Sequence, residues 1–247
     1  MKIFIDSADI NEIKKYLNSG LCQGVTTNPT ICLKCGVRGG IEGVRQRTIE
    51  IANLINPYPV SAEVTSDKVE EVISQAREYS KWAANVVIKI TITDCQGESL
   101  LPAVYQLTRE GISVNVTTMT TFNQAILAAR TLKSGFERAG QKPKYSFISI
   151  FGGRISEEHG VEHAFRVIKN VRDWLDFHKF PGIEIIVGSV RSPENVELWS
   201  RSGAHILTIP PDVLSKCLSS ARTKETVTQF LDDAKKSMEE LEKETKN

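Results

Sequence analysis

Ionisable side chains recur on one side of several short, β-branched segments of the sequence. In VVIKIT, at 86–91, alternate residues face opposite sides of a strand, so Lys89 shares a face with Thr91 while the isoleucines share the other. The same alternation separates Asp6 from the isoleucines of KIFID and Glu63 from the aliphatic residues of SAEVT. An amine and two carboxylates are therefore expected on polar strand faces. Later strands add amide and hydroxyl groups to this face: Asn115, Thr117 and Ser149.

These groups suit the chemistry of carbonyl compounds. A neutral lysine amine adds to a carbonyl and forms a Schiff base, which can accept the electrons of a breaking carbon–carbon bond. Partial burial of an amine favours its neutral form, whereas neighbouring carboxylates favour the charged form. Carboxylates can also carry the proton transfers that such a cycle needs. Lys89 is thus a candidate nucleophile, with Glu63 and Asp6 as candidate acids and bases.

The segments that must position these residues alternate between strand-like and helical patterns about eight times. Strict alternation predicts a parallel sheet covered by helices. Eight units in 247 residues give about 31 residues each, which suits a closed (β/α)8 barrel of about 250 residues. A doubly wound open sheet is disfavoured, because FIDSAD follows the first strand where that fold has a Gly-rich turn. The predicted strands are 2–6, 22–28, 60–65, 85–93, 112–117, 145–151, 183–190 and 205–210, and the predicted helices include 41–55, 68–83, 96–110, 121–133, 158–179 and 193–202.

In a closed barrel the polar strand faces point into the interior, so these side chains should converge near the C-terminal ends of the strands. A simpler interpretation is a satisfied ion cluster of Lys89, Glu63 and Asp6 that only fills the barrel. Burying ions costs several kcal/mol each, and barrel interiors are usually filled with Val, Ile and Leu. The polar cluster therefore favours a functional site.

The last part of the chain changes character. Half of the 24 residues in 224–247 are charged, and apolar residues recur at helical spacing. We expect a barrel over 1–222 and an amphipathic helix over 223–247, which could cover its own barrel or dock on a neighbouring subunit. Its apolar residues are Val227, Phe230, Leu231, Ala234, Met238 and Leu241.

Composition excludes several classes of protein. With 31 Lys and Arg against 30 Asp and Glu, the formal charge is +1, so no overall field attracts nucleic acid or an anionic membrane. The longest apolar run, 125–129, is far too short to cross a bilayer, and MKIFIDSAD lacks a signal peptide's apolar core, so a cytoplasmic location is expected. Five cysteines argue against a complete disulfide framework, and Cys32 and Cys35 lack the second pair that a structural zinc site needs.

Eight motifs in order along the chain resemble the transaldolase family, especially its small bacterial and archaeal branch. The resemblance runs from FIDSAD to about TIPPDVL at 208–214. It implies a (β/α)8 barrel that uses no metal or organic cofactor and that tends to multimerise through its C-terminal helix. The motifs are FID, GVTTNPT, SAEVT, VVIKI, NVT, NQAILAAR, SIFGGR and GSVR.

The resemblance also implies a role for each matching residue. Lys89 attacks a ketose carbonyl, Glu63 transfers protons through a water, and Asp6 takes the proton of the C4 hydroxyl as the C3–C4 bond breaks. A dihydroxyacetone unit then stays on Lys89 as an enamine until an aldose acceptor arrives. Thr117 completes the implied catalytic set. The implied substrate-binding residues are Thr26, Asn28, Asn115, Ser149, Phe151, Arg154, Ser189 and Arg191, of which Arg154, Ser189 and Arg191 follow strands six and seven, where barrels often bind phosphate.

A sister group that resembles fructose 6-phosphate aldolase releases free dihydroxyacetone and tends to have Gln, Ala and Tyr at three matching positions. Here Glu63, Ser149 and Phe151 take the transaldolase form, so transfer between sugar phosphates is favoured over release. Departures at Thr91, Ile150, 118–120 and the ICLKCGVRGG segment border the expected pocket and leave the donor and acceptor open, including a ketose with another terminal anion such as a sulfonate. Outside enzymes, the alternative is a noncatalytic barrel that binds sugar phosphates through a structural lysine.

Overall fold

Eight parallel strands form a closed barrel in chain order, with β1 hydrogen-bonded to both β2 and β8. The structure is a computed structural model that describes residues 1–244; residues 245–247 of the predicted C-terminal helix lie outside the described residues. The (β/α)8 prediction is confirmed. The strands are β1 Lys2–Asp6, β2 Val25–Thr26, β3 Val60–Glu63, β4 Val86–Thr91, β5 Val114–Met119, β6 Ser146–Phe151, β7 Glu184–Gly188 and β8 Ile206–Ile209.

Helices separate the strands and cover the outside of the barrel. They are α1 Ile10–Asn18, α2 Pro29–Lys34, α3 Gly40–Ile55, α4 Val69–Tyr79, α5 Leu101–Arg109, α6 Phe122–Ala139, α7 Gly152–His159, α8 Val161–Phe177, α9 Pro193–Ser200, α10 Pro211–Cys217 and α11 Ala221–Glu244. The helix predicted over 158–179 corresponds to α8, but its start was placed too early: Gly160, with φ +85°, separates α8 from α7, which was not predicted. A residue with positive φ cannot continue a right-handed helix, and glycine adopts that conformation without steric cost.

Local sequence explains where several helices begin. Ser192 caps α9 by accepting a hydrogen bond from the amide of Asn195, and Pro193 occupies the first turn. Helix α4, predicted to begin at residue 68, begins after Lys68, and the nearby Ser66 hydroxyl donates to Glu71. Such differences of a residue or two leave the order of elements intact.

The two faces of the sheet pack against different cores. The outward face contacts the helices through a large set of buried aliphatic residues. The lumen holds a second, smaller cluster in which the rings of Phe4 and Phe147 meet edge to face, with centroids 5.9 Å apart. We call this cluster the lumen plug, and its members are Phe4, Val87, Phe147, Ile186 and Ile206.

Above the lumen plug, the strand register brings the polar residues into one row. Glu63 lies beside Lys89 across β3 and β4, and Lys89 lies beside Asn115 across β4 and β5. Asp6 at the end of β1 pairs with Thr26 of β2. Asp6, Thr26 and Glu63 end their strands, whereas Lys89 and Asn115 lie within theirs. The register nevertheless brings all five residues to the C-terminal half of the barrel.

Helix α11 extends past the eighth unit and begins at Ala221, two residues before the expected boundary. Large apolar side chains along it are half or more exposed, including Val227 at 50%, Phe230 at 65% and Leu231 at 59%. Among residues 1–244, no helix combines the length and apolar character needed to cross a membrane.

Candidate active site

A cavity of about 260 Å³ opens at the C-terminal ends of the strands. Nine of the twelve residues proposed from the sequence line it: Asp6, Thr26, Asn28, Lys89, Thr117, Ser149, Phe151, Arg154 and Ser189. The other three lie next to it rather than on its wall: Glu63, Asn115 and Arg191. The residues that the sequence places on polar strand faces therefore meet around one space.

Lys89 lies at the centre of this group and is almost fully enclosed, with 6% of its side chain exposed. Its Nζ is 2.8 Å from a carboxylate oxygen of Glu63 and donates to the carbonyl oxygen of Thr27 at 3.1 Å. Glu63, whose side chain is 16% exposed, lines an adjoining cavity of about 280 Å³. The lysine thus has a carboxylate within reach to take or return its proton.

Asp6 lines the same cavity as Lys89, and its carboxylate accepts a hydrogen bond from a threonine hydroxyl. Thr26 Oγ1 donates to Asp6 Oδ1 at 2.6 Å and is also within hydrogen-bond distance of Thr208 Oγ1. Because the single hydroxyl hydrogen of Thr26 goes to Asp6, Thr208 must donate to Thr26. Burial among protein atoms raises the pKa of Asp6, and the charge of Lys89 and the Thr26 hydrogen bond offset part of that effect.

Asn115 and Ser149 form a polar layer beneath the cavity. Ser149 Oγ donates to Asn115 Oδ1 at 2.7 Å, and Asn115 Nδ2 donates to Ser61 Oγ at 3.1 Å. With its hydrogen committed to Asn115, Ser149 can only accept from a molecule in the cavity. Thr117 Oγ1 is buried and has no hydrogen-bond partner among the described residues. It is therefore free to donate to, and accept from, a water or a hydroxyl of a bound molecule.

Asn28 has a structural task as well as a place on the cavity wall. It caps α2 by accepting from the amide of Ile31 at 2.8 Å, and Pro29 begins the helix, which explains the NPT sequence locally. Its side-chain NH2 takes no part in that cap. The amide hydrogens of Asn28 can therefore bind an oxygen in the cavity.

The rim of the cavity carries positive charge after β6 and β7. Arg154 stands in the first turn of α7, 3.5 Å from Glu157, and Arg191 also pairs with Glu157. A Cβ at Gly153 would fall 1.9 Å from the carbonyl oxygen of Ser189, so only glycine lets the β7 loop approach α7 this closely. Two guanidinium groups, each more than two-fifths exposed, thus flank a tight turn where an anion could bind.

Several residues of the site were not predicted from the sequence, among them Thr208, Lys34 and Thr27. Thr208 lies on the inner face of β8, and splitting that strand by its period of two would have found it. Lys34, in the unusual ICLKCGVRGG segment, adds an exposed cation to the cavity wall. Thr27 acts through its backbone carbonyl, which no side-chain pattern reveals.

The cysteines of the C-x-x-C segment lie near the site without forming a metal centre. No group of three or more His, Cys, Asp or Glu in the described part of the chain could hold a metal ion. Burial raises the pKa of the Cys32 thiol, and Cys35 Sγ is 3.8 Å from Ser7 Oγ. Both cysteines are free thiols.

A closed (β/α)8 barrel with a lysine, two carboxylates and a cationic rim around a cavity at its C-terminal end has the organisation of a barrel enzyme. The family model described as transaldolase/fructose-6-phosphate aldolase matches residues 3–247. The chain belongs to this family. Family and relatives together indicate an enzyme of the transaldolase type.

Three relatives illustrate the similarity. A probable transaldolase of Lactiplantibacillus plantarum is 39% identical over 237 residues, which cover 95% of this chain and 97% of the relative. One from Streptococcus agalactiae serotype V is 38% identical over 233 residues, covering 94% and 97%. One from Clostridium botulinum is 36% identical over 242 residues, covering 97% and 99%.

Among solved structures, a crystal structure described as a lactate oxidase of Pediococcus acidilactici superposes with a TM-score of 0.51. The match covers 94% of this chain and 68% of that chain, at 14% identity. This similarity concerns the fold alone.

Proposed function

We propose that the protein transfers a dihydroxyacetone unit from a ketose phosphate to an aldose phosphate through a Schiff base on Lys89. The observation that carries the proposal is the enclosed Lys89 amine, held 2.8 Å from Glu63 on the wall of the cavity. A lysine that served only structure would need no open space beside it. This position supports covalent catalysis over a noncatalytic binding barrel.

In the first half of the proposed cycle, Lys89 loses a proton to Glu63 and its Nζ adds to the C2 carbonyl of the ketose. Loss of water from the resulting carbinolamine leaves a protonated Schiff base. Asp6 then removes the proton of the C4 hydroxyl, the C3–C4 bond breaks, and its electrons move to the iminium to form an enamine. The departing product is an aldose phosphate, shorter by three carbons.

In the second half, the enamine carbon attacks the aldehyde carbon of an acceptor, and Asp6 returns its proton to the new hydroxyl. Hydrolysis of the new Schiff base restores the Lys89 amine. The raised pKa of Asp6 suits a group that must both take and return a proton. Ser149 and Thr117 are placed to bind hydroxyl groups or the water of hydrolysis.

The terminal anion of the substrate is proposed to bind at Arg154, Ser189 and Arg191. Glu157 occupies both arginines, so the anion would displace an exposed carboxylate from them. Guanidinium groups also accept a sulfonate, so this rim does not by itself require phosphate.

The protein is incubated with fructose 6-phosphate, reduced with borohydride and examined by mass spectrometry. A three-carbon adduct on Lys89 is expected, absent from Lys89→Met and retained in the control Lys34→Met, which removes the exposed lysine of the same cavity. Binding of fructose 6-phosphate with no adduct would mean a binding barrel. Release of dihydroxyacetone at full rate without erythrose 4-phosphate would mean an aldolase.

The chain is also proposed to form a homo-oligomer through α11. Val227, Phe230 and Leu231 lie at positions i, i+3 and i+4 of one helical face, and all three are exposed in the single chain. Contact with a second copy would remove these side chains from water.

A further inference from the structure

A second cavity, of about 480 Å³, lies at the opposite end of the barrel, where β6 and β7 begin and α8 ends. We call it the lower cavity. Ser146 begins β6 and Phe151, on the proposed active site, ends it, so the two cavities are separated by about five residues of strand, or roughly 17 Å. The lumen plug fills the barrel between them. The lower cavity therefore needs an explanation of its own.

Positive charge dominates the lower cavity. Three lysines line it, Lys142, Lys144 and Lys179, all of them exposed. The two acidic residues of its wall are already neutralised by neighbouring cations: Asp176 pairs with Arg172 at 2.8 Å and Glu184 with Lys2 at 2.7 Å. In the described part of the chain no carboxylate forms an ion pair with any of the three lysines. The cavity thus has an excess of positive charge.

A buried hydroxyl group on the same wall also lacks a partner. Ser146 is 2% exposed, and its Oγ makes no hydrogen bond to any described residue. An unsatisfied buried hydroxyl costs about 1–3 kcal/mol, so a bound oxygen that paired with it would recover that energy. The Nζ of Lys142 occupies the space that a Cβ at Gly182 would fill. The absence of a side chain at Gly182 therefore lets this ammonium group lie against the backbone of the cavity wall.

The remaining wall of the cavity is apolar. Leu175, Phe180 and Ile183 are each at least nine-tenths buried, and they line the space together with Pro181. The Phe180 ring also contacts the Trp174 ring, with centroids 4.8 Å apart and planes tilted by 50°. A ligand that suits this space therefore combines an anionic group with an apolar part.

We propose that the lower cavity binds a small molecule in which a phosphate ester is joined to an apolar or aromatic group. The lysines and the Ser146 hydroxyl bind the phosphate oxygens, and the apolar part packs on Phe180 and Leu175. The site is distinct from the anion-binding rim at Arg154 and Arg191. It does not depend on the proposed function.

Isothermal titration with phenyl phosphate tests the proposal, with inorganic phosphate as the second probe. The unaltered protein should bind one equivalent of phenyl phosphate in the lower cavity. In Lys144→Gln/Lys179→Gln this equivalent should be lost or should bind at least tenfold more weakly. The matched control is Lys14→Gln/Lys81→Gln, which removes the same charge from exposed lysines elsewhere and should bind as the unaltered protein does. Ser146→Ala should bind severalfold more weakly without a lower thermal midpoint, because its hydroxyl has no partner in the protein.

The two sites can be told apart in the same experiment. Arg154→Gln/Arg191→Gln should leave the binding of phenyl phosphate in the lower cavity unchanged, whether or not the rim of the active site binds anions as proposed. If Lys144→Gln/Lys179→Gln binds phenyl phosphate like the control, the lower site does not exist. Equal affinity for inorganic phosphate and phenyl phosphate would overturn the part of the proposal that rests on the apolar wall.

Discussion

Replacing Lys89 with Met should destabilise the protein as well as abolish turnover. The substitution preserves most of the apolar stem of the side chain but removes the charge that compensates Glu63. Glu63 is only 16% exposed and lies 2.8 Å from the lysine nitrogen, so its carboxylate is left without its main partner in a poorly solvated position. A second substitution, Glu63→Gln, removes the carboxylate charge that Lys89→Met leaves unpaired.

The size of the effect follows from the burial of the pair. Removing one partner of a fully buried ion pair costs about 3–5 kcal/mol, and the remaining exposure of Glu63 favours the lower end, about 3 kcal/mol. For a chain of this length, each kcal/mol moves the thermal midpoint by roughly 2–4 °C, so Lys89→Met should melt about 6–12 °C lower. The double variant Lys89→Met/Glu63→Gln should recover more than half of that loss.

Urea and thermal unfolding at pH 7 measure these differences, with borohydride trapping on the same samples. Lys34→Met is the control, because it removes an exposed cation from the same cavity and should change stability by less than about 0.5 kcal/mol. If Lys89→Met is as stable as this control, the pair is not buried as described. A double variant less stable than Lys89→Met would refute the charge-compensation argument.

Four further outcomes are expected. Asp6→Asn should lower turnover by about 10²–10⁴-fold. It should also raise the free energy of unfolding at pH 7, because the raised pKa of Asp6 means that folding disfavours its charged form above pH 3.8. Unfolding of both proteins at pH 4 and at pH 7 measures this difference. Thr117→Val should leave the melting temperature unchanged or higher, since the hydroxyl has no partner, while steady-state assays show about tenfold slower turnover. Burial and the charge of Arg172 lower the pKa of His205, so below pH 6.5 the unfolded chain binds a proton at this residue more readily than the folded chain does. The free energy of unfolding should therefore fall between pH 7 and pH 5. The fall should be less steep in His205→Asn. Phe230→Glu should reduce the mass measured by light scattering, whereas Gln229→Glu, on the opposite face of α11, should not; equal masses would exclude α11 as the contact.

The period of two along each strand explains why so much of the site could be predicted from sequence. Glu63, Lys89 and Asn115 belong to three consecutive strands, β3 to β5. In each strand the polar residue shares a face with the residues two positions away, and that face points into the barrel. The alternation of strands and helices predicts a closed sheet. In such a sheet the aliphatic face of each strand packs against the helices, so the polar face must point into the barrel. The register then places these three side chains in one row.

What the sequence did not reveal depends on backbone geometry. The carbonyl of Thr27 accepts from Lys89, but every residue has a carbonyl, so nothing in the side-chain pattern distinguishes this one. The division between α7 and α8 rests on the positive φ of Gly160, within a segment whose apolar spacing is helical on both sides. The pairing of Arg154 and Arg191 with one carboxylate, Glu157, depends on how the β6 and β7 loops meet.

The lumen plug links the polar site to the stability of the barrel. If polar residues filled the whole lumen, many polar groups would lose their contact with water. Each of them would then need a hydrogen-bond or ion-pair partner inside the barrel. Here the aromatic contact of Phe4 with Phe147 closes the lumen below, so that charged groups occupy only the layer next to the open cavity. In that layer Lys89 and Asp6 line the cavity on one side and contact packed protein on the other. This position keeps each within reach of a proton donor or acceptor, as the proposed Schiff-base cycle requires.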